Sequence, residues 1–451
     1  MEPVKQPRSK FRRKREGGFV IVLIAVFLLF VVGAMAALSI DIVTFYTGRS
    51  EAQLSADAAA LAGARVLANS GATSSADASV ASAATTWCQN VGTQVAQSNL
   101  VGGQPPPTVS VTCSMTPSQN NPTVSAQVQA TLPTFFARIW GTSQITVAAS
   151  ATAEAYNPSG VATGSSSSVI SPVAPLCVKP WLLPNLNPNP NGPIAIFNRL
   201  TGQIEDSSLL GWSQAAGFTA ACGSGNGDCT QGFSQTQQAW QGYPGDPSPQ
   251  GSFPAPSSSS VACSPAVSGF TPTAYQLSVA GCVQIPIACN ATVDIDFNHY
   301  NGNRNDDTAA AVNCLAHSVS SEGDSMSSQL NQATAPFQFL AGGDNPMVQA
   351  GVLGATSNIM VSDSLVTVPV FDCGPGSPPL PCQAPNPSSV QLTGFVQFFL
   401  DPNGMAASTN GQINSTVINL VGCGSSANGT PVIGNGASAV PVRLIAPSAA
   451  Q

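Results

Sequence analysis

The feature that most constrains this chain is an apolar run near its start. Residues 19–40 carry no charged side chain, and as a helix rising ~1.5 Å per residue they would reach about 33 Å, enough for a hydrocarbon core of ~30 Å. We therefore predict a transmembrane helix at residues 19–42. Asp41 should mark the exit from the bilayer, because burying its charge in lipid would be costly. The anchor residues expected to contact lipid are Phe19, Leu23, Phe27, Phe30 and Ile40.

Basic residues precede the apolar run. Seven of the 14 lysines and arginines lie within residues 1–15. Positive charge accumulates on the cytoplasmic side of a membrane span, so residues 1–18 are predicted to be a cytoplasmic tail and the rest to be exported, to the periplasm or outside the cell. The residues expected to set this orientation are Arg12, Arg13, Lys14 and Arg15. A secretory signal peptide cut after Ala36 is the rival interpretation, and it also implies export.

The composition argues against several classes of function. Only 8% of residues are charged, against about 25% in ordinary soluble domains, and the basic residues beyond the tail are too scattered to form a nucleic-acid-binding face. The exported part holds just two histidines, His299 and His317, and one lysine, Lys179. No nucleotide-binding or nucleophile motif accompanies them, so we expect neither an enzyme nor a cofactor.

Cysteine usage agrees with export. All 12 cysteines follow the apolar run, and an even number in an oxidising compartment predicts disulfides. Zinc is not expected, because the spacing lacks close Cys-x-x-Cys pairs. The pairs that would close short local loops are Cys88 with Cys113, Cys222 with Cys229, and Cys373 with Cys382. The connectivity of the other cysteines stays open.

A helix and a small sheet are predicted after the apolar run. Residues 43–68 contain no proline, and residues 56–68 are nearly all good helix formers, so one helix should continue from the membrane to about residue 68. Apolar and polar residues then alternate around 109–113, 123–132 and 145–153, the period of half-buried strands. We expect these strands to form a small antiparallel sheet.

The first third of the chain resembles a known family. The apolar run ends at Asp41, an aromatic follows at Tyr46, and residues 54–64 read LSADAAALAGA. This pattern is similar to the start of TadE/TadG-like Flp pilus-assembly proteins, and residues 132–155 resemble the segment that follows in that family. The positions that carry the family motif are Asp41, Asp57, Leu61 and Gly63.

The resemblance implies a single-span inner-membrane protein with a pilin-like arrangement. Such a protein would serve the assembly or anchoring of adhesive pili, with other Tad pilus-assembly proteins as partners and self-association into a homo-oligomer as a further expectation. The fifth residue after Gly18 is Leu23, where pilins carry glutamate, which argues against prepilin-type processing.

The remaining chain divides by composition. Residues 157–175 are rich in Ser and Gly and predict a linker, and residues 176–260 are rich in Pro, Asn and Gly. Residues 261–451 are predicted to form a mostly β domain with one or two helices, and residues 308–334 are predicted to be helical. Its expected strands lie at 279–287, 291–297, 365–371, 392–400, 413–421 and 440–445. The fold class is α+β: a long N-terminal transmembrane helix with a small pilin-like antiparallel sheet at 43–156, followed by a disulfide-bonded, mostly β domain.

One acidic cluster is a candidate calcium site. Asp294, Asp296 and Asn298 would share one face of a strand, before a loop rich in Asn and Asp. The closing glutamate of an EF-hand is missing, and a turn that uses Asn and Asp for its backbone angles is the favoured interpretation. No metal site is therefore predicted.

The function expected from these features is a membrane-anchored, non-enzymatic component of Flp/Tad-type pilus assembly or anchoring, in the inner membrane and with an exported body. The alternative is a secreted or surface adhesin or glycan-binding protein released by signal peptidase, with its tryptophan-rich middle region as the contact surface. N-terminal sequencing separates the two.

Overall fold

The structure is a computed structural model, and it combines one very long helix with two main β-sheets. The residues it describes are 17–115, 121–159, 171–187, 195–217, 243–263, 266–296, 305–317, 322–327, 335–372, 388–400, 412–425, 429–434 and 436–445.

Within these residues there are five α-helices. They are α1 (Gly17–Asn69), α2 (Ala78–Ser98), α3 (Ala274–Ala280), α4 (Asn305–Leu315) and α5 (Pro346–Gln349).

The β-strands of the described residues are numbered in chain order. They are β1 (Thr108–Ser114), β2 (Thr123–Pro133), β3 (Gln144–Ala155), β4 (Val173–Ala174), β5 (Trp181–Pro184), β6 (Ser213–Gly217), β7 (Tyr243–Pro244), β8 (Thr292–Asp294), β9 (Ser325–Met326), β10 (Phe339–Leu340), β11 (Asn358–Ile359), β12 (Leu365–Asp372), β13 (Ser389–Leu400), β14 (Gln412–Gly422), β15 (Val432–Ile433) and β16 (Val442–Ile445).

Helix α1 is continuous over 53 residues, about 80 Å at ~1.5 Å per residue. The prediction that one helix runs from the apolar segment to about residue 68 is confirmed. Its first half exposes large apolar side chains, whereas its second half is buried on the face that carries Ala52, Ala56, Ala59 and Ala60. One helix thus joins an apolar, exposed stem to a packed body.

The N-terminal sheet has the strand order β1-β2-β3-β16 and is antiparallel throughout. Its first three strands are those predicted from alternation, and the alternate residues of β2 from Val124 to Leu132 face the core. The fourth strand was expected in a separate C-terminal domain. It pairs instead with the end of β3, from Val442 opposite Ala155 to Ile445 opposite Thr152, so the last described strand joins the sheet formed by residues 108–155.

Helix α2 packs beside α1 and against β1 of the N-terminal sheet. It begins at Asp77, whose carboxylate accepts a hydrogen bond from the backbone N–H of Ser79 at 2.8 Å, a standard cap. Its buried residues recur every three or four positions, as one face of a helix requires. They are Val80, Ala81, Ala84, Cys88, Gly92 and Ala96.

The larger sheet has the order β6-β14-β13-β12-β5-β7, and β8 pairs with β13. The three central strands correspond to the predicted runs at 365–371, 392–400 and 413–421, and they are almost wholly buried where their side chains are described. β5 joins β12 in parallel, whereas β12, β13 and β14 are antiparallel. The predicted mixture of helix and sheet is therefore present, while its pilin-like character stays a prediction.

Two predictions in the C-terminal half were wrong in part. Residues 279–287 do not form a strand, because α3 extends to Ala280 and the following segment is held by irregular backbone pairs, such as Ile287 N–H to the carbonyl of Pro175 at 3.2 Å. Helix α4 ends at Leu315, and β9 occupies part of the predicted helical region 308–334. Each departure lies beside a disulfide, a long-range constraint that local pattern does not encode.

The ends of the predicted linker are packed. Asn157 and Ser159 are buried, and the hydroxyl of Ser159 accepts a hydrogen bond from Gly422 N–H at 2.7 Å. At the other end β4 pairs with β15 in parallel. Residues 160–170 lie outside the described residues.

Candidate functional site at the junction of α1 and the β2–β3 hairpin

The junction between α1 and the β2–β3 hairpin is centred on Asp41. Its side chain is only 5% exposed. The backbone N–H groups of Phe135, Phe136 and Ala137 donate to its carboxylate at 2.8, 3.0 and 2.6 Å. Hydrogen bonds to an ionised acceptor are stronger than neutral ones, so this contact fixes the hairpin to the helix. That Asp41 marks the exit from the bilayer stays a prediction; the structure adds that its carboxylate is held by protein.

The segment that receives Asp41 is residues 134–143, called here the hairpin link. It contains a short 3₁₀ helix, Ala137–Trp140, whose first free N–H groups point at the carboxylate, as expected for a helix start. Gly141 follows with φ 92°, a conformation that glycine adopts without strain, and the chain then returns into β3. The tight link presents three consecutive donors to one acid.

Close packing continues from Asp41 along α1. A Cβ on Gly48 would lie 2.1 Å from Cδ1 of Leu132, so the helix needs a glycine where the end of β2 crosses it. One turn further, Glu51 accepts a hydrogen bond from Gly102 N–H at 2.7 Å. The hairpin therefore lies along the helix with its tip toward the apolar half.

The family-motif residues lie in the next part of the same helix. Gly63 packs under β2 and α2, where a Cβ would meet Cγ1 of Val124 at 2.9 Å and Sγ of Cys88 at 3.0 Å. Leu61 is half-buried against the same core. Asp57 is half-buried at the edge of the contact and accepts a hydrogen bond from Nε2 of Gln53 at 2.8 Å. Leu61 and Gly63 of the motif thus take part in helix packing.

The far end of α1 is bound into the larger sheet. Nδ2 of Asn419 donates to the carbonyl of Ala68 and to Oε1 of Gln397, both at 2.6 Å. Nε2 of Gln397 donates to Oδ1 of Asn69 at 3.3 Å. All three polar side chains are buried, and buried polar groups that satisfy one another define a single arrangement. The body cannot pivot freely on the helix end.

The anchor residues lie on the exposed half of α1. Phe19, Leu23, Phe27, Phe30 and Ile40 are all exposed, and the most apolar window of the helix buries none of its residues in the protein. Among the described residues this is the one helix long and apolar enough to cross a membrane, a test that a signal sequence near the N-terminus also passes. The topology residues Arg12, Arg13, Lys14 and Arg15 lie outside the described residues.

Disulfides join distant parts of the body. The predicted pair Cys88–Cys113 is confirmed and ties α2 to β1. The further pairs are Cys177–Cys282, Cys263–Cys314 and Cys289–Cys423. The predicted pairs at Cys222, Cys229, Cys373 and Cys382 lie outside the described residues.

The candidate calcium residues do not share a strand face. β8 ends at Asp294, which is exposed and accepts a hydrogen bond from the hydroxyl of Ser252 at 3.1 Å, whereas Asp296 lies beyond the strand and is buried. Asn298 lies outside the described residues. Within the described part of the chain, no group of three or more His, Cys, Asp or Glu side chains could hold a metal ion.

His317, Asp344 and Lys179 take part in contacts within the body. Nδ1 of His317 lies 2.8 Å from Oδ2 of Asp344, beside a cavity of about 190 Å³. Desolvation raises the pKa of Asp344 more than His317 lowers it. Lys179 is buried and donates to the carbonyls of Val279 and Gly281 at 2.7 Å each, and burial lowers its pKa to about 7. His299 lies outside the described residues.

Sequence reasoning identified Asp41 but missed its partners. The donors to Asp41 are backbone groups, which carry no residue-specific signal. Sequence reasoning also missed the buried amides of Gln397 and Asn419 at the far end of α1, because they lie over 300 residues away along the chain. A usable signal was the acid itself, because a carboxylate at the end of an apolar run needs a partner if it is buried.

Comparison with known proteins found a family match. Residues 17–68 match the model of the Tad family, described as Flp pilus-assembly TadE/G-like. The resemblance drawn from the sequence is confirmed over this segment, which coincides with α1 and covers a small part of the 451 residues. Searches of curated proteins and of solved structures each found no match.

Proposed function

We propose, from the TadE/G-like segment at residues 17–68, that this protein is a membrane-anchored, non-enzymatic component of Flp/Tad-type pilus assembly or anchoring. Residues 19–40 cross the inner membrane, the basic tail lies in the cytoplasm, and the body lies in the periplasm or outside the cell. Its partners are the lipid bilayer and other Tad proteins, and it self-associates through its body or its helix.

The observation that carries this proposal is the contrast between the two halves of α1. Large apolar side chains are exposed all around residues 19–40, whereas the continuation of the same helix is buried against α2 and β2. Leaving so much apolar surface in water is unfavourable by ~25 cal/mol per Å². A bilayer covers it, and a protein contact confined to one face would not.

The way α1 is held supports a role in anchoring. Asp41 fixes the helix to the hairpin link, and Asn69 with Asn419 fixes its far end to the larger sheet. A load on the body is therefore transmitted to the membrane helix through two separate contacts. Because the titratable groups described above take part in packing, the proposal contains no catalytic step.

Membrane extraction tests the anchor. Cells expressing the full chain and a chain lacking residues 19–40 are lysed, and membranes are washed with alkaline carbonate. The full chain should stay with the membranes, and the deleted chain should be recovered in the soluble fraction. Release of the full chain by carbonate would overturn the proposal.

N-terminal sequencing of the extracted protein separates the adhesin alternative. A chain that begins at Ala37 would favour a secreted adhesin, and one that retains the basic tail favours the anchor. The tryptophans offered as a contact surface for the adhesin give it little support: Trp181 is fully buried and Trp212 is half-buried, while Trp240 lies outside the described residues.

A further inference from the structure

The hairpin link exposes a compact apolar cluster. Phe135, Ile139 and Trp140 are 63%, 75% and 60% exposed. Among the described aromatic side chains outside α1, Phe135 and Trp140 are the exposed ones. The neighbouring sheet instead presents Ser, Thr and Gln to solvent, so the cluster is a local departure from a polar surface.

The cluster lies beside the exit of the apolar helix. β2 passes Gly63 at Val124 and Gly48 at Leu132, so it descends along α1 toward the apolar half and ends at the link. The three hydrogen bonds to Asp41 then place the link at the level of residue 41. The exposed apolar surface of the link therefore continues that of the helix at Leu38 and Ile40.

The depth of this position follows from the helix length. Residues 19–40 reach about 33 Å, close to the ~30 Å thickness of the hydrocarbon core. Asp41 and the link therefore lie at the boundary between acyl chains and headgroups. Tryptophan and tyrosine are enriched at that boundary, because their rings contact lipid while their polar N–H or O–H groups stay hydrated. Arg138, which is exposed between them, suits the same region.

We propose that the hairpin link inserts Phe135, Ile139 and Trp140 into the leaflet from which α1 emerges. The occupant of this surface is lipid, because the cluster continues the lipid-facing surface of α1 and is held at its depth by Asp41. The link gives the body a second membrane contact beside the helix, which fixes its orientation relative to the bilayer. This inference rests on the membrane anchoring proposed above.

The native Trp140 allows a direct test in the full chain. The protein is reconstituted into phosphatidylcholine and phosphatidylglycerol vesicles in which part of the phosphatidylcholine is brominated, either near the headgroup or near the chain ends. Bromine quenches tryptophan fluorescence at close range. Quenching by the headgroup-side lipid should be strong, and Trp140→Phe should remove most of it. Trp212→Phe, which changes a half-buried tryptophan of the body, should leave it unchanged.

A second reporter separates this inference from the anchor itself. Phe30→Trp places a tryptophan in the middle of the apolar run, where lipid brominated near the chain ends should quench it. If Phe30→Trp is quenched and Trp140 is not, the inference is overturned and the anchor stands. If neither is quenched, both are overturned.

Acrylamide, an aqueous quencher, tests whether Trp140 is exposed to water or covered by protein instead of lipid. Trp140 that is quenched by acrylamide and not by bromolipid faces water. Trp140 that is protected from both is covered by protein, either a second copy or another partner. Either result overturns the inference, whereas protection from acrylamide together with quenching by bromolipid supports it.

Discussion

At the scale of single residues, Asp41 has two roles that conflict unless the protein resolves them. It ends the apolar run, yet it is buried. Three backbone N–H donors replace the water that a carboxylate would otherwise need. The same hydrogen bonds determine where the hairpin link lies, so one acid couples the end of the apolar run to the position of the sheet.

Replacing Asp41 should loosen the hairpin link. Asp41→Asn removes the charge and turns an amide toward backbone donors, whereas Asp41→Ala removes the acceptor altogether. For both variants we expect faster proteolysis within residues 134–143 and a lower melting temperature in detergent. The effect of alanine should be larger than that of asparagine. Asp57→Asn is the matched control, because Asp57 lies on the same helix and accepts from Gln53 at the edge of the contact. Equal effects of Asp41→Asn and Asp57→Asn would contradict the role assigned to Asp41.

Lys179 should make stability depend on pH. Burial lowers its pKa in the folded protein from 10.5 to about 7, opposed by the charge of Asp363. Between these values the unfolded chain binds more protons than the folded chain, so the free energy of unfolding rises with pH. This contribution is on the order of 1 kcal/mol per pH unit. Below pH 7 Lys179 is charged in both the folded and the unfolded chain, so the free energy of unfolding is lowered by the full cost of burying that charge.

The measurement is thermal or urea unfolding of the full chain in detergent at pH 7, 8 and 9. The wild type should gain stability across this series, and Lys179→Met should lose most of that gain. Because the substitution also removes two hydrogen bonds, the slope with pH and not the absolute stability is the readout. Parallel slopes in the two proteins would show that Lys179 does not titrate in this range.

At the scale of elements, α1 works as a packing surface because its contact residues are small. Alanines and glycines let α2 and β2 approach its backbone closely, and a Cβ on Gly63 would meet Cγ1 of Val124 at 2.9 Å and Sγ of Cys88 at 3.0 Å. Gly33 belongs to the same helix, but a Cβ there would meet nothing within 4 Å. The two glycines lie in the same helix, and only Gly63 is closely packed.

Alanine at these two glycines should have opposite effects. Gly63→Ala should destabilise the body by about 1–3 kcal/mol, because the added methyl group overpacks a closed contact. Gly33→Ala should be neutral or slightly stabilising, since alanine favours helix over glycine. Unfolding in detergent measures both, and a destabilised Gly33→Ala with an unaffected Gly63→Ala would contradict the packing assigned here.

The disulfide of α2 is a second element-scale feature. Removing Cys88–Cys113 by replacing both cysteines with serine should lower the free energy of unfolding by about 2–4 kcal/mol, because a loop of 25 residues is no longer closed in the unfolded chain. Hydrogen exchange should show the loss in α2 and β1 first. Unchanged exchange in both elements would contradict the assigned link between them.

At the scale of the whole molecule, the N-terminal part, from the second half of α1 to β3, and the C-terminal part form one body. β16 completes the N-terminal sheet, and Nε of Arg443 contacts Oε1 of Glu154 at 2.5 Å. The far end of α1 is satisfied by side chains of β13 and β14. The division into a small sheet and a separate β domain, although suggested by composition, does not describe how the core is shared.

A chain that stops at residue 156 should therefore fold poorly. It retains α1, α2 and three strands but leaves the edge of β3 without β16 and the end of α1 without Asn419. We expect reduced protection of β3 amides from hydrogen exchange and lower yield, compared with the full chain in the same detergent. Native-like protection in the fragment would contradict a shared core.

Much of the local structure could be predicted from sequence pattern. The prediction failed where contacts between residues distant in sequence determine the structure. The apolar run and the alanine-rich extension predicted α1 to within two residues, and alternation predicted β1, β2 and β3, because helical and strand periods are local properties. The segment 279–287 also looked like a strand, but neighbours that are distant in sequence hold it in an irregular path.

By itself the sequence determined that a long apolar helix carries a disulfide-bonded body and that its start resembles the Tad family. Only the tertiary structure decided that Asp41 is held by the hairpin link, that β16 closes the first sheet, and that Asn419 caps the far end of α1. The physical reason is that periodicity and composition act over neighbouring residues. Hydrogen bonds to backbone groups and pairings between distant strands depend on which surfaces meet once the chain has folded.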